Sequence, residues 1–123
     1  MPDTAPINPG KKRTMPSRFD HLQVANGDLV LAKDMPDALT AATLVFEDGA
    51  KQTFTGDGKT TYVEHGGSTQ GEWSIVRDGE FSSFWPPDYR AAYTLRWIVE
   101  DGAVTGLSFI QAGRGDRFDG RYE

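Results

Sequence analysis

Between Ala91 and Glu100 the chain changes character at every step. Tyr93, Leu95, Trp97 and Val99 fall on one face, and Ala92, Thr94, Arg96, Ile98 and Glu100 on the other. A period of two is that of a half-buried strand. A helix would set Leu95 beside Ile98 and Val99, but it would have to absorb a density of β-branched and aromatic residues that strands accommodate better. Leu44/Phe46, Trp73/Ile75 and Leu107/Phe109 repeat the i, i+2 spacing. The pattern predicts strands over 42–47, 51–55, 60–65, 70–76, 80–85, 90–100 and 103–110, with 117–122 as a last one. Between them stand turn signals: Asp48-Gly49, Asp57-Gly58, Gly66-Gly67, Asp78-Gly79, Pro86-Pro87 and Asp101-Gly102. Asp-Gly and Gly-Gly supply the positive φ angles that tight hairpins need.

Strands this short and this evenly punctuated predict an all-β fold, a single small antiparallel meander barrel of about seven to eight strands. Closure pairs every edge, whereas an open sheet of this composition would aggregate. A barrel of about eight strands has an interior that side chains fill or that holds one small ligand. Residues 21–40 are ambiguous: 28–32 reads as the opening of a first strand, and 35–39 as a short helical turn with Pro36 near its start. Pro2, Pro6, Pro9 and Pro16 mark residues 1–20 as a flexible N-terminal arm, which leaves 21–123 as the barrel domain.

With 123 residues the chain has room for one core. The formal net charge of −5 is unevenly spread. Residues 1–27 hold four basic and two acidic residues, hence +2, and 28–123 hold nine basic and sixteen acidic, hence −7. An acidic body repels phosphate backbones, which argues against nucleic acid as a partner. The chain has no cysteine, so thiolate nucleophiles, disulfides and zinc–thiolate sites are excluded. With no apolar run long enough for a signal peptide or a membrane span, the expectation is a cytoplasmic protein with no membrane partner. Gly113–Gly115 lacks the strand–helix context of a phosphate loop, and no cofactor is expected.

One stretch is more specific. Tyr62-Val63-Glu64-His65-Gly66-Gly67-Ser68-Thr69-Gln70-Gly71-Glu72-Trp73, written Y-x-x-H-x-G-x-x-x-G-x-W, resembles the hairpin of the bacterial phenolic acid decarboxylases, lipocalin-fold (calycin) enzymes that remove CO2 from hydroxycinnamates. Val45–Phe54 resembles that family's opening hairpin, and Phe84-Trp85-Pro86-Pro87 and Val104–Ile110 its later strands, so the likeness runs over roughly 43–110. The MoaF-type proteins, also calycins, share the layout. The resemblance implies a lipocalin-like barrel around a pocket for a small organic molecule. It does not carry the family's catalytic set: the two tyrosine positions fall on Leu44 and Phe46, the arginine on Val63 and the glutamate near Pro87. Tyr62, His65, Gly67, Gly71, Trp73 and Trp85 are kept, and they look like architecture.

The candidate catalytic residues are therefore a rearranged set, Tyr62, Glu64 and His65. Tyr62 and Glu64 share a strand face. If it is the interior one, burial raises the carboxyl toward an acid–base range; if not, both are surface residues, and Val63 pulls the alternation that way. His65 reads as a general base or as a hairpin-positioning group. It faces away from Glu64, so no metal site is expected. Phe46, Trp73, Trp85, Tyr89, Arg90, Tyr93 and Trp97 are the candidate ligand-binding residues. In Phe84–Arg90 the prolines make either a rigid turn with a solvated Arg90, or a lid on which Arg90 or Arg96 receives an anionic group. Trp73 also reads as a plug for one barrel end. The expected partner is a small aromatic or apolar molecule, with or without a carboxylate, acted on by a cofactor-free lyase or isomerase. The rival is a non-catalytic carrier or interaction barrel whose interior is filled by Trp73, Trp85 and Trp97. A homodimer through the 90–100 strand, using an outward Ile98, is also open.

Overall fold

A computed structural model describes Phe19 and residues 22–123. The expected arm over 1–20 lies outside the described residues except for Phe19, which is 3% exposed and packs its ring 5.2 Å from that of Trp97. Eight antiparallel strands follow in chain order: β1 (Leu44–Phe46), β2 (Lys51–Thr55), β3 (Lys59–Glu64), β4 (Gly67–Arg77), β5 (Glu80–Trp85), β6 (Tyr89–Glu100), β7 (Ala103–Gln111) and β8 (Arg117–Tyr122). Each pairs with the next, and β1 pairs with β8 through Leu44↔Tyr122 and Phe46↔Gly120, so the sheet closes into a barrel. This is the architecture of calycins.

The Asp-Gly signals become hairpin turns. Gly49, Gly58, Gly79 and Gly102 all have φ between 78° and 89°. In the two-residue turn after β6, Asp101 (φ 54°) precedes Gly102 (φ 79°), the pair of left-handed residues that matches strand twist. The β3–β4 turn falls on His65-Gly66 rather than on Gly66-Gly67, so β4 begins at Gly67 and is longer than the sequence pattern implies.

Residues 28–32 do not open the barrel. β6 runs past the start of β5, and residues 26–30 cover the edge left bare: Trp97 N donates to Asp28 O, Gly27 N to Trp97 O, Val30 N to Leu95 O, and Val99 N to Asn26 Oδ1. The helical turn expected after Pro36 is present as α1 (Met35–Thr40), which buries Met35, Ala38 and Leu39. Tyr122 donates its hydroxyl proton to Ala38 O at 2.6 Å, fixing α1 to β8. Ile98 faces away from the barrel interior but is only 4% exposed.

Two parts of the interior differ. Toward α1 the barrel is filled by Phe19, Leu39, Leu44, Leu95, Trp97 and Leu107, one contiguous apolar cluster. Above it Phe54, Phe81 and Phe109 form a layer, with Phe54 stacked on Phe109 at 6.3 Å and Phe81 edge-on to both at 6.0 and 5.8 Å. Beyond that layer the barrel is hollow.

On the outside, Glu100 of β6 accepts hydrogen bonds from Arg121 of β8 and from Thr105, and those bonds hold its carboxyl below the usual 4.5. A depressed folded-state value stabilises the fold above the unfolded value, and that contribution is lost as pH falls through the folded one. Both partners are nearly half exposed, so the clasp is worth less than about 1 kcal/mol. Glu100→Gln should lower stability slightly at pH 7 and flatten its acid slope below about pH 4. An unchanged acid slope in urea titrations would remove the clasp from the account.

Candidate functional site

The hollow is a cavity of about 450 Å³, within the ~300–1,000 Å³ usual for small-molecule sites. Its walls are aromatic: Phe46 from β1, Tyr62 from β3, Phe81 and Trp85 from β5, Tyr93 from β6 and Phe109 from β7. They touch in a chain, with Phe46 6.3 Å from Tyr62, Tyr62 6.5 Å from Trp85 and Phe81 5.6 Å from Tyr93. Period two places them, since Phe81, Ser83 and Trp85 share the inner face of β5 while Tyr93, Leu95 and Trp97 share that of β6. Gly71 lets Trp85 lie close: a Cβ there would meet the indole ring at 2.6 Å.

Four polar groups break the aromatic wall. Gln52 Nε2 donates to Thr60 Oγ1 at 3.0 Å, and Ser83 Oγ accepts from Trp85 Nε1 at 3.2 Å. The hydroxyls of Tyr62 and Tyr93 have no hydrogen-bond partner among the described residues. Burial pushes both phenols above their ordinary value, reinforced at Tyr62 by the negative charges of Asp48 and Glu64 and at Tyr93 by Tyr89 and Tyr62. At neutral pH they are therefore uncharged.

The mouth opens between the β1–β2 turn and the start of β8, where β1 is too short to pair. Glu47 and Asp48 stand on one side, and Arg117, Phe118 and Asp119 on the other. Burial would raise the Asp119 carboxyl, but hydrogen bonds from Arg117 (2.9 Å) and Ser108 (2.7 Å) prevail and hold it below the usual range, so it is ionised. The rim is net acidic.

Not all of the residues singled out in the sequence meet here. Phe46, Tyr62, Trp85 and Tyr93 line the cavity. Trp73 does not: its ring packs 6.1 Å from Phe54 and its Nε1 donates to the carbonyls of Thr55 and Lys59. Trp97 lies in the filled half. Tyr89 is exposed at the start of β6. Arg90 sits on the outer surface, 4.3 Å over the Phe84 ring, and Arg96 donates to Gly27 O, so neither reaches an anion in the cavity. Tyr62 faces inward and Val63 outward; Glu64 shares Tyr62's side but is exposed at the strand end, and His65 is exposed in the turn. The three do not form a catalytic constellation. Among the described residues no His, Cys, Asp or Glu grouping could hold a metal, and no helix is long and apolar enough to cross a membrane.

Gln52, Ser83, Phe81 and Phe109 were missed as site residues, although all are in phase with apolar neighbours on the same strand. Gln52 precedes Phe54 by two, and Ser83 lies between Phe81 and Trp85. A polar residue on the inner phase of a barrel strand was the available signal. No family model, curated protein or solved structure matches this chain, so what the cavity does has to be read from its own walls.

Proposed function

We propose that this protein is a small-molecule-binding barrel whose ligand is a small aromatic or apolar molecule held in the cavity beneath Trp85. The observation that supports this is the hollow itself. A core of this size would gain by closing on its own side chains, yet six aromatic rings stand around open space with two hydroxyls unpartnered inside it. The filled-interior alternative describes only the half around Trp97.

Binding without catalysis is favoured over lyase or isomerase chemistry. Of the titratable residues that line the cavity, Tyr62 and Tyr93 are pushed upward and so are poor bases at neutral pH, while Glu47, Asp48, Arg117 and Asp119 stand at its mouth. The kinship with phenolic acid decarboxylases is proposed for the fold alone. At that family's catalytic positions Leu44 is in the filled half, Phe46 is an apolar wall, Val63 points outward and Pro87 lies in an exposed turn.

The test uses the uncharged dye N-phenylnaphthylamine. Its emission should rise saturably on binding while tryptophan emission is quenched. Trp85→Phe should keep the dye and lose most of the quench, and Trp97→Phe should retain both. Hydroxycinnamates incubated with the protein should keep their absorbance. A dye spectrum unaltered at high protein concentration would overturn the proposal.

A further inference from the structure

What the cavity offers besides aromatic surface is fixed by Gln52 and by the charges at the mouth. Thr60 Oγ1 gives its one proton to Thr53 O at 3.0 Å, so toward Gln52 it can only accept. That forces the Gln52 amide to present its nitrogen to Thr60, also at 3.0 Å, and leaves Oε1 with no donor among the described residues. Gln52 is only 9% exposed and lines the cavity. A buried carbonyl without a donor is unfavourable, and a ligand N–H or O–H would relieve it.

Charge narrows the ligand further. Glu47, Asp48 and Asp119 line the mouth against a single cation, Arg117, whose guanidinium is engaged by Asp119 and Ser108. Among the described residues the other cations at this end are also engaged. Lys51 pairs with Glu123 and Arg114 with Asp116, while Arg90 lies outside over Phe84. A carboxylate entering the mouth would therefore meet carboxylates and, among the described residues, no free cation. A cation would meet carboxylates first, then the faces of Tyr62, Trp85 and Tyr93, which attract positive charge through their quadrupoles.

The geometry points to a protonated aromatic amine as the ligand class, its ring against the aromatic walls and its N–H donors on Gln52 Oε1, in a cavity whose mouth is lined by carboxylates. This rests on the ligand-binding reading above and reverses the anionic preference that Arg90 suggested in the sequence.

Phenethylamine, phenethyl alcohol and phenylacetate share a ring and a chain length and differ in charge, and calorimetry at low ionic strength ranks them. The amine should bind at least about tenfold tighter than the acid, with the alcohol between, and added salt should narrow the gap because the mouth is open to solvent. Gln52→Leu should weaken the amine by about five- to tenfold, the worth of one hydrogen bond. Glu47→Lys, on an exposed turn, should fold as the parent does and shrink the amine–acid difference. Acid binding as tight as amine binding, or amine affinity indifferent to both substitutions, would overturn the inference. If the uncharged dye binds while the amine shows no preference, this inference alone falls; if neither dye nor amine binds, the ligand-binding reading falls with it.

Discussion

Truncating Trp97 to alanine should destabilise the protein by about 3–5 kcal/mol, a third or more of what a domain of this size usually has. Trp97 is 1% exposed in the filled half, beside Leu95 and opposite Leu107, and its ring meets Phe19 edge-on. Removing the indole leaves a void bounded by a closed sheet and by α1, neither of which can collapse into it without breaking hydrogen bonds. The strand pairing to Asp28 and Gly27 uses only backbone atoms of Trp97 and should survive in the folded fraction. The loss therefore reports packing, and Trp97→Phe, which refills most of the volume, should lose less than half as much. In urea denaturation the midpoint should fall with an unchanged slope. A loss below about 1 kcal/mol would place Trp97 outside the core. Because Phe54, Phe81 and Phe109 separate this half from the cavity, dye affinity of the folded fraction should change little.

That separation also explains what was legible in the sequence. Hairpins were, because Asp101-Gly102 and its counterparts carry the turn geometry in two residues, and strand faces were, because alternation is local. Leu95 and Tyr93 declare the same inner face from sequence alone. What alternation does not encode is depth along the barrel axis. Trp97 and Tyr93 are equivalent in phase, yet one is packed beneath the aromatic layer and the other borders the hollow, since depth depends on register with β5 and β7. Trp73 was drawn into the candidate site for the same reason. The edge cover at 26–30 was invisible because it answers a length mismatch between β5 and β6, a property of two strands together.

The polar part of the site was harder still. Gln52 and Thr60 look like outward-facing strand residues until their phase is taken from Phe54 and Tyr62. Only the chain of donors from Thr60 to Thr53 O shows which end of the amide is free. The electrostatics misled in the opposite direction: Arg90 and Arg96 were prominent in the sequence, but the phase of β6 turns Arg96 outward and a neighbouring ring holds Arg90. The acidic rim arises from a three-residue β1, which leaves the start of β8 without a partner on that side and brings Glu47 and Asp48 opposite Asp119.

Gly106→Ala should be the most damaging single-methyl change in the barrel, with an expected loss of about 3 kcal/mol or more, at or above the upper range for overpacking. A Cβ at Gly106 would stand 2.1 Å from Gly120 O and 2.8 Å from Arg121 Cα. Both obstacles are backbone, so no rotamer change relieves them, and β8 would have to shift away from β7. Such a shift is resisted on the far side, because β1 pairs with β8 at Phe46↔Gly120 and a Cβ at Gly120 would itself meet the Phe46 ring at 3.0 Å. The strand that closes the barrel is thus held between two close approaches. Phe46 is a cavity wall, so any displacement of β8 that the fold survives should reach the ligand site. The expected result is a lower denaturation midpoint together with weaker dye binding in the folded fraction, whereas Gly113→Ala, in a turn with open space around it, should disturb only its own backbone, whose φ is 83°. Wild-type stability in Gly106→Ala would mean that β7 and β8 do not approach as closely at this point as the closed barrel requires.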